Sequence, residues 1–208
     1  MRTRVVPLLA LLASTVMSAA CREKAPEASN TVVAGPAPDS FRVVFETSRG
    51  PFIVQVYRPW APKGADRFYA LVQQGFFDDS RFFRVVPGFV VQFGLGADPK
   101  LNEPWDKRIA DDSVSQSNLR GTLTFATQGP NTRSHQLFIN LADNPRLDAM
   151  GFAPIGRVVE GMNVVDSLYS GYGEEPDQEA IRTQGNSYAD RVFPKLDRIK
   201  TARVSARR

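Results

Sequence analysis

One charged side chain lies inside an otherwise apolar run of the sequence. Arg84 is the third residue of FFRVV, residues 82–86, and Gln92 follows it eight positions later. A guanidinium carries a permanent charge and planar N–H donors in a fixed geometry, so it can stabilise a lone pair without a proton transfer. A glutamine amide can hydrogen-bond to that guanidinium. In isolation, however, an arginine on an alternating strand is interpreted as a surface residue, and Gln92 as a polar residue that faces solvent.

The sequence offers few groups for metal, nucleophilic or acid–base chemistry. The chain has one cysteine, Cys21, and one histidine, His135, which excludes an internal disulfide and argues against a structural zinc site or a Cys–His protease pair. The adjacent acidic pairs at residues 111–112 (Asp-Asp) and 174–175 (Glu-Glu) are expected to be solvated loop charge. The sequence therefore predicts no metal site.

Composition places the chain among ordinary globular proteins. Its 208 residues are 42% apolar and 23% charged, which indicates one folded domain with tails. The net charge of +4 suggests a nucleic-acid partner, but the excess lies at the ends. Arg2 and Arg4 carry two positive charges and residues 194–208 a net five, so residues 21–193 carry a net −3. We therefore predict no nucleic-acid partner.

Residues 1–20 have the pattern of an export signal. Arg2 and Arg4 precede a mostly apolar stretch at residues 5–16 and small residues at 18–20. The stretch is shorter than the roughly 20 apolar residues that a spanning helix needs. We predict a signal peptide that is removed during export.

The position of Cys21 resembles that of the lipidated cysteine of bacterial lipoproteins. Ser18 stands where that pattern usually has leucine. The alternative is ordinary cleavage after Ala20, which leaves a free thiol. Residues 21–40 are rich in Ala, Pro, Ser and charge, which predicts a flexible tether. We expect a protein of the bacterial cell envelope or periplasm, anchored to a membrane by a lipid on Cys21.

The folded domain is predicted to span residues 41–208. Apolar periodicity and turn residues indicate about eight short strands, with segments at 41–47, 51–57, 82–93 (a hairpin-like pair), 122–127, 136–141, 152–159 and 197–204. Two amphipathic helices are predicted at residues 60–74 and 161–169. Residues 171–194 are polar and expected to be partly helical. Many short strands with turns between them favour a barrel or a sandwich.

Three sequence blocks resemble the cyclophilins, a family of peptidyl-prolyl isomerases. They are FFRVVPGFVVQ at residues 82–92, FATQGPNTRSHQLFI at 125–139 and LDAMGFAPIGRVVEGM at 147–162. Their order and spacing agree with the family over residues 41–204. The resemblance implies a mainly β fold, a closed eight-stranded antiparallel barrel capped by two helices, with residues 171–194 as an insertion.

The resemblance also implies an activity, the rotation of Xaa-Pro peptide bonds in client polypeptides to assist folding in the cell envelope. It assigns Arg84 as the catalytic residue and Gln92 as its support. It assigns the following residues to substrate binding: Phe89, Val90, Ala126, Thr127, Gln136, Phe138, Leu147 and Phe152. No bond to carbon changes, so the reaction needs no cofactor, and His135 is not required as a base. The expected partners are proline-containing polypeptides, and the expected oligomeric state is a monomer.

The sequence departs from the family at three positions. Val90 stands where methionine is common, Arg146 where many eukaryotic members have tryptophan, and Phe152 where a histidine is often found. The tryptophan matters for cyclosporin binding, so tight cyclosporin binding is not implied. The alternative function is a non-catalytic proline-peptide-binding chaperone module that uses the same groove. The presence of Arg84 and Gln92 together favours the enzyme.

Overall fold

The computed structural model describes residues 35–205, and the predicted signal peptide, Cys21 and most of the predicted tether lie outside them. One antiparallel sheet contains eight strands in the order β3-β4-β6-β5-β7-β2-β1-β8. The strands are β1 (Ser40–Thr47), β2 (Gly50–Tyr57), β3 (Arg84–Val86), β4 (Val90–Phe93), β5 (Thr122–Phe125), β6 (Leu137–Asn140), β7 (Pro154–Glu160) and β8 (Ile199–Val204). Four α-helices accompany them: α1 (Pro62–Gln73), α2 (Met162–Asp166), α3 (Gln178–Gln184) and α4 (Asn186–Val192). No helix in residues 35–205 is long and apolar enough to cross a bilayer.

Alternation of apolar and polar residues sets the faces of the long strands. In β1, Phe41, Val43 and Phe45 are buried while their neighbours are more exposed, because successive side chains point to opposite faces. Strands β1 and β2 pair in an antiparallel register that places Phe45 opposite Phe52. Those two rings stack with centroids 4.7 Å apart. The interior face of the sheet is therefore aromatic at its centre.

Helix α1 packs on this core through one apolar face. Ala65, Phe68, Leu71 and Val72 are buried and recur at helical spacing. Pro62 begins the helix, where its missing N–H costs nothing. The predicted helix at residues 60–74 is thus observed with slightly narrower bounds.

The N-terminus of α1 is capped by a residue distant in the sequence. Asp112 accepts hydrogen bonds from the backbone N–H groups of Lys63 and Gly64, at 3.1 and 2.9 Å. Its side chain is 5% exposed and pairs with Arg133, 2% exposed, at 3.0 Å. The expectation of solvated charge at residues 111–112 is therefore wrong for Asp112. The position of Asp112 in the sequence gives no sign that the start of α1 and the buried Arg133 guanidinium both contact its carboxylate.

The sheet has two end strands, β3 and β8. The segments that precede them meet at an isolated bridge between Arg81 and Arg198. Two backbone hydrogen bonds of 2.9 Å accompany the bridge, from Phe82 N–H to Asp197 and from Ile199 N–H to Ser80. Eight antiparallel strands are confirmed in this curled sheet, while full closure into a barrel stays a prediction.

The prediction of two helices is corrected to four in the described residues. Helices α3 and α4 both lie in the segment 171–194, which was expected to be partly helical. Each has seven residues and buries only one side chain, Ile181 or Ala189, so neither produces a strong apolar period. These two side chains pack with Phe83 and Leu95, which attaches the segment to the region of β3 and β4.

Candidate functional site

A tight hairpin places three of the predicted site residues. Arg84 on β3 is directly opposite Gln92 on β4. The turn between the strands contains Pro87 and Gly88, with Gly88 at φ 72°, and the Phe89 N–H donates to the Val86 carbonyl at 3.0 Å. Proline followed by a residue of positive φ is the pattern of a type II turn. The turn thereby sets Phe89 on the same side as the Arg84–Gln92 pair.

An apolar cavity of about 140 Å³ lies beside Arg84. Nine of the ten predicted catalytic and substrate-binding residues line it: Arg84, Phe89, Val90, Gln92, Ala126, Thr127, Phe138, Leu147 and Phe152. Val90, Phe138 and Leu147 are buried and form its base, and the Phe152 ring meets Phe138 edge-on at 5.7 Å. These residues are far apart in the sequence, and strand pairing brings them together.

The Arg84 guanidinium has three polar or aromatic neighbours at the edge of this cavity. Its Nη1 donates to Gln92 Oε1 at 3.3 Å, and its Cζ lies 5.4 Å from the centre of the Phe89 ring. Its Nε and Nη2 both donate to Glu174 Oε1, the former at 2.8 Å. Arg146 lies over the same Phe89 ring at 4.9 Å. Arg146, which by resemblance stands where many eukaryotic cyclophilins have tryptophan, therefore borders the site.

Glu174 is a site residue that the sequence did not indicate. The pair at residues 174–175 was expected to be solvated, yet Glu174 contacts Arg84 while its own side chain is 64% exposed. Glu174 is therefore exposed, as expected, but the chain reversal at residues 170–175 brings its carboxylate to Arg84 on β3, and the sequence did not indicate this ion pair. The only signal in the sequence was the acidic pair itself.

Gln136 occupies a neighbouring cavity instead of the smaller one. Its Oε1 accepts from Gln92 Nε2 at 2.9 Å, which extends the chain of polar contacts from Arg84. The neighbouring cavity has a volume of about 690 Å³ and shares Gln92, Ala126 and Thr127 with the smaller one. Helix α3 forms part of its wall through Gln178, Glu179 and Arg182. The segment 171–194 therefore contributes to the wall of the larger cavity.

A buried polar network supports the cavity from behind. Asn144 Nδ2 donates to the Phe89 carbonyl at 3.1 Å and to Asn140 Oδ1 at 2.8 Å. Asn118 Nδ2 donates to the Phe152 carbonyl and to Asp148 Oδ1, both at 2.8 Å. Because these bonds hold backbone on two sides of the cavity, they fix its shape. Sequence reasoning missed the network, since isolated asparagines give no pattern.

Asp148 is the charged member of this network. Burial raises the pKa of Asp148, but hydrogen bonds from Ser117 Oγ at 2.5 Å and from Asn118 outweigh that effect, so its pKa lies below the ordinary value. A carboxyl whose pKa is lowered on folding stabilises the protein above its unfolded pKa, about 3.9, and this contribution is lost as pH falls through the folded value.

We expect Asp148→Asn to lower the free energy of unfolding by about 1–2 kcal/mol at pH 7, because the charged acceptor becomes neutral. Thermal unfolding of both proteins at pH 7, 5 and 3 measures the effect. The difference should be smaller at pH 3, which lies below the unfolded pKa of about 3.9, because the unfolded carboxyl then binds a proton. A difference that stays constant from pH 7 to pH 3 would show that the charge of Asp148 is not stabilising.

His135 is buried and has a structural role. Its Nδ1 lies 2.6 Å from the Gly94 carbonyl and its Nε2 lies 3.0 Å from Asp106 Oδ1. The ring also meets Phe76 at 5.3 Å. Both ring nitrogens therefore have hydrogen-bond partners.

Comparison with known proteins identifies relatives over most of the folded part. A family model described as cyclophilin type peptidyl-prolyl cis-trans isomerase/CLD matches residues 42–188. A peptidyl-prolyl cis-trans isomerase-like 1 from Emericella nidulans is 35% identical over 132 residues, which cover 61% of this chain and 80% of the relative. A peptidyl-prolyl cis-trans isomerase from Acinetobacter baylyi is 35% identical over 133 residues, covering 61% of this chain and 70% of the relative.

Solved structures show the same fold. A cyclophilin type peptidyl-prolyl cis-trans isomerase from Cryptosporidium parvum superposes with a TM-score of 0.62 at 20% identity, covering 81% of this chain and 99% of that one. A second structure, of that isomerase in the presence of the dipeptide Ala-Pro, superposes with a TM-score of 0.60 at 20% identity, covering 80% and 99%.

Proposed function

The chain belongs to the cyclophilin-type peptidyl-prolyl cis-trans isomerases, and on that premise we propose that the cavity beside Arg84 binds the proline ring of a client peptide. The single observation that carries the proposal is the position of the Arg84 guanidinium at the edge of an apolar cavity. The base of that cavity is formed by Val90, Phe138 and Leu147. An apolar cavity of about 140 Å³ suits a small saturated ring.

The reaction needs differential binding of a twisted amide. A planar Xaa-Pro bond isomerises over a barrier of about 18–20 kcal/mol because the amide has partial double-bond character. Twisting that bond localises a lone pair on the prolyl nitrogen, and a protein that binds the twisted form more tightly than either planar form accelerates exchange. In our proposal, Arg84 donates a hydrogen bond to that nitrogen or to the adjacent carbonyl. The cavity holds the ring while the rest of the amide rotates.

The neighbouring residues support this arrangement. Gln92 restrains the guanidinium, and Gln136 in turn contacts Gln92. Ala126 and Thr127 border both cavities, so a peptide whose proline occupies the smaller one passes them on its way to the larger one. We propose that these positions bind the peptide backbone. The isomerase solved with the dipeptide Ala-Pro supports a ligand of this chemical class.

Exchange spectroscopy of a short Ala-Pro peptide tests the proposal. Catalytic amounts of the full chain should produce exchange cross-peaks between the cis and trans forms, which interconvert in tens to hundreds of seconds without a catalyst. Peptide binding without accelerated exchange would instead support the non-catalytic chaperone module. Perturbed signals of Phe138 and Leu147 on peptide addition would place the ligand in the cavity, and unperturbed signals there would contradict this placement.

We also propose that the protein acts outside the cytoplasm as a lipid-anchored monomer of the bacterial cell envelope. The pattern of residues 1–20 and the position of Cys21 support this localisation. Mass spectrometry of the mature N-terminus should find acyl chains on Cys21. Cleavage after Ala20 with an unmodified thiol would exclude the lipid, and an intact N-terminus would exclude export.

Analytical ultracentrifugation of the detergent-free protein lacking the lipid should show a single monomeric species.

A further inference from the structure

Glu174 makes the closest polar contacts of the Arg84 guanidinium. Its Oε1 accepts from Arg84 Nε at 2.8 Å and also from Nη2, whereas Gln92 accepts from Nη1 at 3.3 Å. Hydrogen bonds between two ionised groups are shorter and stronger than those to a neutral amide. The orientation of the guanidinium therefore depends more on Glu174 than on Gln92.

These contacts leave part of the guanidinium available. An arginine has five N–H donors, one on Nε and two on each terminal nitrogen. Glu174 accepts from Nε and Nη2, and Gln92 accepts from Nη1. Two N–H groups, one on each terminal nitrogen, remain for other acceptors. The Glu174 carboxylate thus contacts the Nε and Nη2 edge of the guanidinium and leaves N–H donors available for a peptide.

The loop that carries Glu174 is anchored to the site by its backbone. The Val85 N–H, adjacent to Arg84 on the end strand β3, donates to the Gly173 carbonyl at 3.3 Å. The neighbouring Tyr172 ring packs edge-on against Tyr169 and Phe193, both at 5.1 Å. Glu174 is therefore held next to Arg84 by a restrained backbone. This restraint reduces the conformational entropy that is lost when the ion pair forms.

We propose that Glu174 is a positioning residue for the isomerase reaction, supplied by the segment 171–194. Its carboxylate restrains the Arg84 guanidinium before the peptide binds, so that the two remaining N–H groups are preorganised for the twisted amide. The carboxylate also offsets part of the positive charge of Arg84. The hydrogen bond to Gln92 is long and by itself would orient the guanidinium weakly. We therefore expect the better orientation of the guanidinium to outweigh the partial loss of its positive charge. The inference rests on the proposed role of Arg84.

Three variants of the full chain test the proposal. Glu174→Ala should lower kcat by about three- to tenfold with KM changed less than about twofold, because an exposed ion pair contributes modestly and acts here on the rotating amide. Glu174→Gln keeps an oxygen acceptor without the charge and should fall between the wild type and Glu174→Ala. Glu175→Ala removes the same charge from the adjacent exposed position and should match the wild type.

A second measurement reports on the guanidinium itself. In nitrogen-15 spectra the Arg84 Nε–H proton should exchange slowly with solvent in the wild type and in Glu175→Ala, and rapidly in Glu174→Ala. An unchanged or increased kcat in Glu174→Ala would overturn the proposal, and an increase would show that the carboxylate restrains the enzyme. If Arg84→Ala itself retains full activity, the role of Arg84 fails first, and the positioning role of Glu174 fails with it.

Discussion

Replacing Arg84 with alanine is expected to lower kcat/KM for exchange of an Ala-Pro peptide by about 10²–10³-fold, the loss that follows removal of one preorganised donor in a catalytic site. The protein should remain folded, because the Arg84 side chain is 22% exposed and its ion-pair partner Glu174 is 64% exposed. The substitution removes the donor and leaves the apolar cavity. We therefore expect most of the loss in kcat and little in KM.

Exchange rates and thermal unfolding of three variants provide the measurement. Arg84→Lys keeps the charge without the planar fork and should recover only a small part of the activity. Arg191→Ala removes an exposed arginine of helix α4 and serves as the matched control, with the activity of the wild type. If Arg84→Ala keeps kcat/KM within threefold of the wild type while remaining folded, Arg84 does not act on the amide.

Replacing Asp112 with alanine should destabilise the protein by about 3 kcal/mol, because it removes the buried carboxylate of Arg133 and leaves that buried charge only the more exposed Asp111 as a partner. The two side chains are 5% and 2% exposed and lie 3.0 Å apart. The change also removes the acceptor for the Lys63 and Gly64 N–H groups at the start of α1, and loss of a helix cap typically costs about 1 kcal/mol.

Denaturant unfolding measures this loss, and Asp112→Asn separates its two causes. The single amide oxygen can still accept one of the two capping hydrogen bonds, so Asp112→Asn keeps part of the cap and loses the charge. Asp111→Ala is the matched control, since the side chain of Asp111 is 34% exposed and lies 3.2 Å from Arg133. It should cost about 1 kcal/mol or less. A loss below about 1 kcal/mol for Asp112→Ala would show that the buried pair is not needed for stability.

Local sequence patterns were sufficient to predict most of the elements. The alternation in β1 and β2 predicts the two strands and their buried faces, because side-chain direction in a strand has a period of two residues. The apolar spacing in α1 predicts its buried face. Pro87 and Gly88 predict the turn between β3 and β4, because their allowed φ values match that turn. Each signal is contained within about ten residues.

The cavity residues were predicted through resemblance and not through periodicity. Phe89, Phe138 and Leu147 read individually as core residues, and nothing in their spacing distinguishes a cavity wall from packing. The motifs around them indicated the family, and the structure shows that nine of the ten predicted residues line one cavity. Gln136 instead lines the larger cavity next to it. The chemical roles of these residues remain proposals for the variants to test.

By itself, the sequence determined the strands, the first helix, the family and the composition of the apolar cavity, because these depend on local periodicity and contiguous motifs. Only the tertiary structure decided which charges are buried and which groups they meet. Asp112 belongs to an acidic pair that was expected to be solvated, yet it is buried and caps α1 beside Arg133. Glu174 is exposed, as expected, but its partner Arg84 was not indicated by the sequence. The partners of a charged side chain are selected by strand pairing and loop return, which bring together residues as far apart as positions 84 and 174.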